Sequence, residues 1–428
     1  MTVLRWLLLV PVAAGSLYSI ACVAAMARLA ARARRGFAGA AGSAGVAGSA
    51  GVGAPGAGAT GTPDLGPAGA PAGAPAFGGA GGSGWPPVSV LRPVYGISRD
   101  LVENLRNLCQ QDYPDYQVVL SAQREDEPAL PLLYDLQREI GAERITVVVD
   151  GTGTVPNGKA RNLLVGFSGA RHELLVVSDS DVVLRPDYLK TIVAPLADPR
   201  VGCASTFYKA GGSIRRWYEA LEYLFLNADW VPNLVFAHMT GAQAFVLGAS
   251  NAVRRSTLEA VGGWGDLGYY LLEDSEMGRR ILARGQSIAI VPYFVDTLVD
   301  LRGPAHWFKH QLYWDRNTRA GNPWGFFGTL FIRAIPFALL FAAVRRFDGL
   351  GLAVLAAAVA CRLATAWLFM RRGLGDRTGP RWLALLPLRD LAGLAASALA
   401  FAGPTVVRHR QRFVVGRGGR MVADERGG

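Results

Sequence analysis

The sequence predicts an α/β domain with a mostly parallel sheet, set between apolar helices that meet a membrane. Between Pro86 and about Asp300, short β-rich runs alternate with helical stretches, the pattern of strand–helix–strand units. Apolar segments flank this region, and the 428 residues are 51% hydrophobic, more than one large core requires. The tripeptide Asp179-Ser180-Asp181 directly follows the apolar run Leu174-Leu175-Val176-Val177, and open α/β sheets bind ligands beyond the carboxyl ends of their strands.

Residues from about Trp6 to Leu29 are almost wholly apolar and run into Arg32-Ala33-Arg34-Arg35. That is the pattern of a membrane span with its C-terminal end in the cytoplasm. A cleaved signal peptide would carry a shorter apolar core with its charges mostly in front, so residues 1–31 are expected to be an anchor. Residues 32–85 are dominated by Gly, Ala and Pro. Such a segment buries too little surface to offset its ordering entropy, and a disordered linker is expected.

In the domain expected at 86–322, Val88-Ser89-Val90-Leu91 reads as the first strand and Arg99 to Gln110 as a helix. Tyr116 to Leu120 reads as strand, Leu130 to Ile140 as helix and Ile145 to Val149 as strand. A helix from Gly158 to about Ser168 leads into the strand that ends near Asp179. The aromatic run Trp217 to Val235 fits either a helix lying on the membrane or a core helix.

Beyond Asn322 the candidate spans are Phe326 to Val344, Leu350 to Met370 and Trp382 to Ala402, within a membrane region at 323–404. Arg333, Arg362, Arg389 and Asp390 interrupt them and are costly in lipid unless paired or turned to protein. The first and last segments therefore have interfacial or re-entrant alternatives. A basic tail, 405–428, follows. The formal charge of +11 comes partly from Arg residues just beyond apolar segments, where they set topology and meet anionic headgroups, so no nucleic acid partner is expected. Cys22, Cys109, Cys203 and Cys361 show neither a C-x-x-C pair nor zinc-ligand spacing.

Four features carry chemistry, in chain order. Glu125-Asp126-Glu127 follows the second strand, where a carboxylate can accept hydrogen bonds from a base or ribose; a solvated charge run is the alternative. Asn157-Gly158-Lys159 with Arg161 and Asn162 forms a polar, partly cationic helix start, suited to phosphate, although Asn-Gly is also a common turn. Asp179 and Asp181 are spaced to hold a hard cation such as Mg²⁺ together with substrate phosphates. Glu273-Asp274 follows the Gly-rich stretch Gly262-Gly263-Trp264-Gly265; acidic residues that merely favour a helix N-terminus are its alternative.

This order resembles the ceramide glucosyltransferase family, among glycosyltransferases of the family 2 and 21 type, with bacterial hopanoid-associated glycosyltransferases as near relatives. The matching stretches are Val88 to Pro93, Gln123 to Ala129, Asn157 to Asn162, Asp179-Ser180-Asp181 and Leu272-Glu273-Asp274. The resemblance implies a GT-A catalytic domain, Rossmann-like with a mostly parallel sheet, in a multi-pass protein of the cell membrane with that domain in the cytoplasm. It implies an inverting transfer of a hexose from a UDP-sugar to a lipid hydroxyl, of ceramide or of a hopanoid, the latter receiving N-acetylglucosamine. Asp274 is then the base, and Asp179 and Asp181 hold Mg²⁺ or Mn²⁺. Asp126, Glu127, Asn157, Lys159, Asn162, Asp179, Glu273 and Trp314 fall to the nucleotide sugar, and His310, Gln311 and Arg316 to acceptor or diphosphate.

The chain departs from the family pattern twice. Glu127 precedes Pro128 where an aspartate is usual, and His310-Gln311-Leu312-Tyr313-Trp314 replaces Q or R followed by x-x-R-W, which leaves Arg316 or Arg319 to supply a positive charge. Two rival readings are a polysaccharide synthase, which needs a larger bundle of spans, and an inactive scaffold, which sits poorly with intact Asp179, Asp181 and Asp274.

Overall fold

The computed structural model describes residues 6–42, 84–241, 245–403, 405–408 and 411–423. An N-terminal helix, α1 (Leu9–Gly42), precedes the domain. It continues through the first residues expected to be linker, where the alanine-rich composition still favours helix; residues 43–83 of that linker lie outside the described residues.

The first half of the domain follows the expected order: β1 (Val88–Pro93), α2 (Leu101–Leu108), β2 (Tyr116–Ala122), α3 (Leu130–Ile140), β3 (Ile145–Val149), α4 (Gly158–Gly169) and β4 (Leu174–Ser178). These four strands are parallel, in the order β3-β2-β1-β4. Successive residues point to opposite faces of a strand. Val90, Val118 and Val176 accordingly enter one core, while Leu91, Val119 and Val177 enter a second core with Leu163 of α4. Helices cover both faces, which explains the continuous apolar runs. Each fully buried Val or Leu contributes about 1.5–3 kcal/mol.

The second half is β5 (Val182–Val183), α5 (Tyr188–Val193), β6 (Val201–Gly211), α6 (Trp217–Phe225), a π-helical turn (Leu226–Trp230), α7 (Val231–Thr240), β7 (Ser250–Arg254), α8 (Arg255–Ala260), α9 (Gly263–Leu267), α10 (Glu273–Ala283) and β8 (Ser287–Leu298). The sheet continues β4-β7-β6-β8-β5, with β7 antiparallel to both neighbours and β6 parallel to β8. In the Trp217–Val235 run Leu221, Leu224, Phe225, Ala228, Val231 and Val235 are all buried. Of the two alternatives, it is the core helix.

Among the described residues, three helices are long and apolar enough to cross a membrane: Leu9–Arg34, Gly349–Gly373 and Gly379–Ala400. After α11 (Pro304–Gly321), the expected span Phe326 to Val344 is instead a bent pair, α12 (Pro323–Phe331) and α13 (Ala334–Val344), at 46°. Pro336 has no N–H for the Ile332 carbonyl four residues earlier, so the helix breaks there. Gly15 of α1 crosses at this break, where any Cβ would run into the Ile332 carbonyl. The bundle is completed by α14 (Gly349–Leu368) and α15 (Leu386–Ala400).

The charges inside these helices converge on Asp229 of the π-helical turn. Its carboxylate pairs with Arg362 and Arg389, and Arg333 lies 3.8 Å away. Arg362 also reaches Asp390 at 3.0 Å. Pro232 cannot donate to the Ala228 carbonyl, and Arg362 Nη1 supplies that donor at 3.0 Å. Part of the basic tail forms a three-stranded antiparallel sheet, β9 (Thr405–Arg408), β10 (Gln411–Val415) and β11 (Met421–Ala423).

Removing one partner from a buried ion network leaves uncompensated charge. Asp229→Ala is therefore expected to destabilise the protein by about 3–5 kcal/mol, seen as a lower thermal midpoint of the purified protein.

Candidate active site

The turn that presents Asp179 and Asp181 rests on a cation beneath it. Arg92 of β1 has no exposed surface. It donates to Ser178 Oγ at 2.8 Å and to the carbonyls of Ser180 and Val182 at 3.2 and 2.6 Å. Those carbonyls are thereby drawn towards Arg92 beneath the turn. Burial pushes the Arg92 guanidinium down to about 10, with the charges of Asp181 and Asp179 opposing. Asp181 Oδ2 accepts from Thr297 of β8 at 3.0 Å. Burial, and then the charge of Asp179, raise the Asp181 carboxyl above the ordinary range.

Lys159 and Gly248 together link this turn to Asp274. Its Nζ lies 2.5 Å from Asp179 Oδ1 and 2.9 Å from the Gly248 carbonyl. Asp274 accepts from the Gly248 N–H, and its carboxyl is pushed up to about 7, by burial first and then by the neighbouring Glu273, against the pull of Lys159. A Cβ at Gly248 would stand 2.8 Å from Asp274 Oδ2 and 3.2 Å from Lys159 Nζ, so any larger residue would push these two side-chain ends away. The same segment holds the turn, since the Asp179 N–H donates to the Ala249 carbonyl at 3.2 Å.

Two asparagines hold the frame. Asn157 caps α4, accepting from the N–H groups of Lys159 and Ala160 at 3.0 and 3.3 Å. Its Nδ2 donates to Glu273 Oε2 at 2.7 Å and to the Tyr270 carbonyl at 2.9 Å, so one residue sets both the start of α4 and the start of α10. Asn162 Nδ2 donates to the Val94 carbonyl at 2.9 Å. The side chains of Asn157, Asn162 and Glu273 are engaged with protein, whereas the sequence reading assigned them to the nucleotide sugar.

In the first acidic block, Asp126 is exposed and paired with Arg124. Glu127 is buried, and its Oε1 accepts from the Gly96 N–H at 2.7 Å. The glutamate thus ties the β1 loop to the β2 loop, and Asp126 remains the solvent-facing carboxylate. Both line an open groove of about 590 Å³ with Tyr134 and Val149.

His310 and Trp314 lie on α11, one turn apart, with Trp314 Nε1 donating to His310 Nε2 at 3.2 Å. Burial works against the His310 cation, yet the Glu222 carboxylate at 3.1 Å and the charge of Asp181 bring its pKa up overall. With Nε2 accepting from Trp314, the Nδ1–H donates to Glu222, and a second proton on Nε2 would have to break the Trp314 bond. Trp314 packs edge-on against Trp230 and Phe225, with ring centroids 5.2 and 6.3 Å away. Gln311 is fully buried and donates to Asp315, Arg319 donates to the Gly403 carbonyl, and the Arg316 Nε is buried without a partner. Tyr313 packs with Leu271, Phe413 and Met421.

Arg92, Gly248, Thr297 and Glu222 were not singled out from the sequence. Arg92 carried a signal, a charge interrupting an apolar strand; Gly248 carried none, because it reaches the site from a loop remote in the chain.

A mostly parallel sheet with a carboxylate pair at a strand end, and a lysine lying between that pair and a third carboxylate, is the arrangement of a glycosyltransferase of GT-A fold. Residues 76–421 match the family described as glycosyl transferase family 21, and the chain belongs to that family. Ceramide glucosyltransferase 1 of Caenorhabditis elegans is 22% identical over 205 residues, 48% of this chain and 44% of that protein. Ceramide glucosyltransferase of Gibberella zeae is 29% identical over 138 residues, 30% of this chain and 26% of that protein. The match thus spans less than half the length of these curated relatives. Among solved structures, the mannosyltransferase PcManGT from Pyrobaculum calidifontis in complex with GDP-Man and Mn²⁺ has 22% identity and a TM-score of 0.39, covering 73% of this chain and 87% of that one.

Gly248→Ala is expected to lower turnover at least tenfold by separating Asp274 from Lys159, while the circular dichroism spectrum stays as in the parent protein.

Proposed function

We propose that this enzyme transfers a hexose from a UDP-sugar to a hydroxyl of a membrane lipid, with inversion, from a domain on the cytoplasmic side of the cell membrane. The observation that carries the reading is Asp274: a carboxylate with its pKa near 7, one lysine away from the Asp179 turn. A general base works best with its pKa near the operating pH. The family relatives named ceramide glucosyltransferases support a lipid acceptor, as do the apolar helices packed against the domain.

Asp179 and Asp181 fit a divalent cation. Burial first, and the charge of Asp179 second, raise the Asp181 carboxyl, and no group of three or more His, Cys, Asp or Glu forms a cation site among the described residues. Mg²⁺ typically takes one or two carboxylates together with substrate phosphates. When bound, Mg²⁺ or Mn²⁺ supplies charge neutralisation at the diphosphate. Lys159 adds a fixed positive charge on the same side.

In the reaction, ionised Asp274 takes the proton of the acceptor hydroxyl. The acceptor oxygen forms its bond to the anomeric carbon as the bond from that carbon to the diphosphate oxygen breaks, and UDP departs with the electron pair. One displacement inverts the anomeric centre. Asp126 faces the groove where ribose or base would lie, and Glu127 holds the groove's wall.

Purified protein given radiolabelled UDP-glucose, UDP-galactose or UDP-N-acetylglucosamine, with ceramide or a hopanoid polyol, is expected to label the lipid. No labelled lipid in any combination would sink the proposal. Chelation is expected to abolish labelling and added Mg²⁺ or Mn²⁺ to restore it. Asp274→Asn is expected to abolish turnover and leave UDP binding within about twofold. In the parent enzyme kcat/KM is expected to climb as pH rises through about 7, because protonated Asp274 cannot accept a proton. A raised carboxyl favours folding when protonated and loses that contribution as pH rises through its folded value. Asp274→Asn is therefore expected to raise the thermal midpoint at pH 8, by a margin that shrinks at pH 5.

A further inference from the structure

Asp274 follows a stretch that belongs to no helix or named strand. Between α9 and α10, residues 268–272 must find partners for their backbone groups elsewhere, because buried backbone donors and acceptors are nearly always paired. One side of this loop is held from the start of α4. The Asn157 N–H donates to the Gly268 carbonyl at 2.9 Å, and Asn157 Nδ2 reaches the carbonyls of Tyr270 and Leu271 at 2.9 and 3.4 Å.

Two further groups of the loop are taken by the far end of the chain. The Leu271 N–H donates to the Gly419 carbonyl at 2.9 Å, and the Met421 N–H donates to the Tyr269 carbonyl at 2.8 Å, with Tyr270 opposite Arg420 in an antiparallel bridge. The turn between β10 and β11 makes this possible. Gly418 and Gly419 take φ of +71° and +81°, where glycine alone is at ease, and the Gly416 N–H closes the turn on the Arg420 carbonyl at 2.8 Å.

An apolar seat backs these bonds. Leu271, Phe413 and Met421 are buried together, and Tyr313 and Ala320 of α11 pack against them with Val415. A Cβ at Gly321 would stand 2.8 Å from Leu272 Cδ1, so the end of α11 also closes on the loop. Tyr313 stands where the family pattern has arginine. It brings a ring to this seat, where a guanidinium would bury its charge against carbon. The loop is thus held from three directions: by α4, by α11 and by the C-terminal strands.

We infer that the β10–β11 turn clamps the general base, with Phe413, Met421 and Tyr313 as positioning residues that fix residues 269–272 and so keep Asp274 against Gly248. The inference rests on the reading of Asp274 as the base and adds what keeps it in place. Glu273, Lys159, Tyr208 and Cys203 also lie near enough to Asp274 to share its field, and none of them belongs to the clamp. A loosened loop would admit water to the carboxyl. Burial is the first cause of its raised pKa, so hydration lowers that value, and the clamp is read in the pH profile as well as in the rate.

Full-length protein in nanodiscs, with the UDP-sugars and lipids named above, tests it. Met421→Pro removes the N–H offered to Tyr269, Tyr313→Arg brings charge into the apolar seat from α11, and Met421→Leu keeps both the bond and the seat. The first two are expected to lower kcat about tenfold or more, since a general base acts only within hydrogen-bond reach of its proton. Their KM for the UDP-sugar is expected to stay within about twofold, and the midpoint of kcat/KM against pH to fall from about 7 to below about 6. Met421→Leu is expected to match the parent in all three. Unchanged kcat in Met421→Pro and Tyr313→Arg, or a loss with the midpoint still near 7, overturns the clamp alone, and so does an equal loss in Met421→Leu. Failure of the parent to label lipid, or near-normal turnover in Asp274→Asn, overturns the functional reading and the inference with it. Should Met421→Pro fail to fold, Tyr313→Arg decides by the same measurements. Should both fail, hydrogen exchange in the parent decides: amides of residues 269–272 and 419–421 opening together support the clamp, and opening independently overturns it.

Discussion

A fully buried guanidinium under a turn of two carboxylates is the constraint on which the site depends. Arg92 gives up its hydration to sit on the central strand, and three hydrogen bonds with two nearby carboxylates offset that loss. The cost is accepted because the turn needs something to draw its carbonyls down towards the sheet. Without Arg92, the carbonyls of Ser180 and Val182 would compete with Asp179 and Asp181 for the same side of the turn. An apolar residue at this place would pack as well and organise nothing.

Asp229 plays a corresponding part between the domain and the membrane helices. It lies on a helix that packs against the sheet, yet its partners Arg362 and Arg389 come from two different membrane helices. Each arginine would be costly in lipid, and together they have a low-energy position only when the catalytic domain offers its carboxylate. Docking of the two parts is therefore specified by charge, and the apolar contacts around it set closeness more than register. The π-helical turn and Pro232 matter here because they free the Ala228 carbonyl for Arg362.

Much of this was legible from residue order. The helix Leu130–Ile140 and the strand Ile145–Val149 fall on the expected residues, since alternation and Gly/Asn punctuation mark their ends locally. Asp179, Asp181, Lys159 and Asp274 were visible as a succession of polar residues at strand ends and helix starts, and the structure brings Asp179, Lys159 and Asp274 together. What was not legible depends on distant partners. Asn157 looked like a phosphate ligand, but its amide is taken by Glu273, more than a hundred residues on. Glu127 looked like a nucleotide contact, but the Gly96 amide claims it. The bend in the expected span at Phe326 to Val344 was encoded by Pro336, a signal the hydropathy pattern masked. The pairing of Arg333, Arg362, Arg389 and Asp390 required knowing that Asp229, in a different part of the chain, would meet them.

The small C-terminal sheet holds the segment before Asp274 by two backbone bonds. The Leu271 N–H donates to the Gly419 carbonyl, and the Met421 N–H donates to the Tyr269 carbonyl. Gly419 and Met421 follow every apolar helix in chain order, so during synthesis the base loop waits for them until after those helices have left the ribosome. Until that last segment has been made, the loop before Asp274 lacks these two backbone bonds.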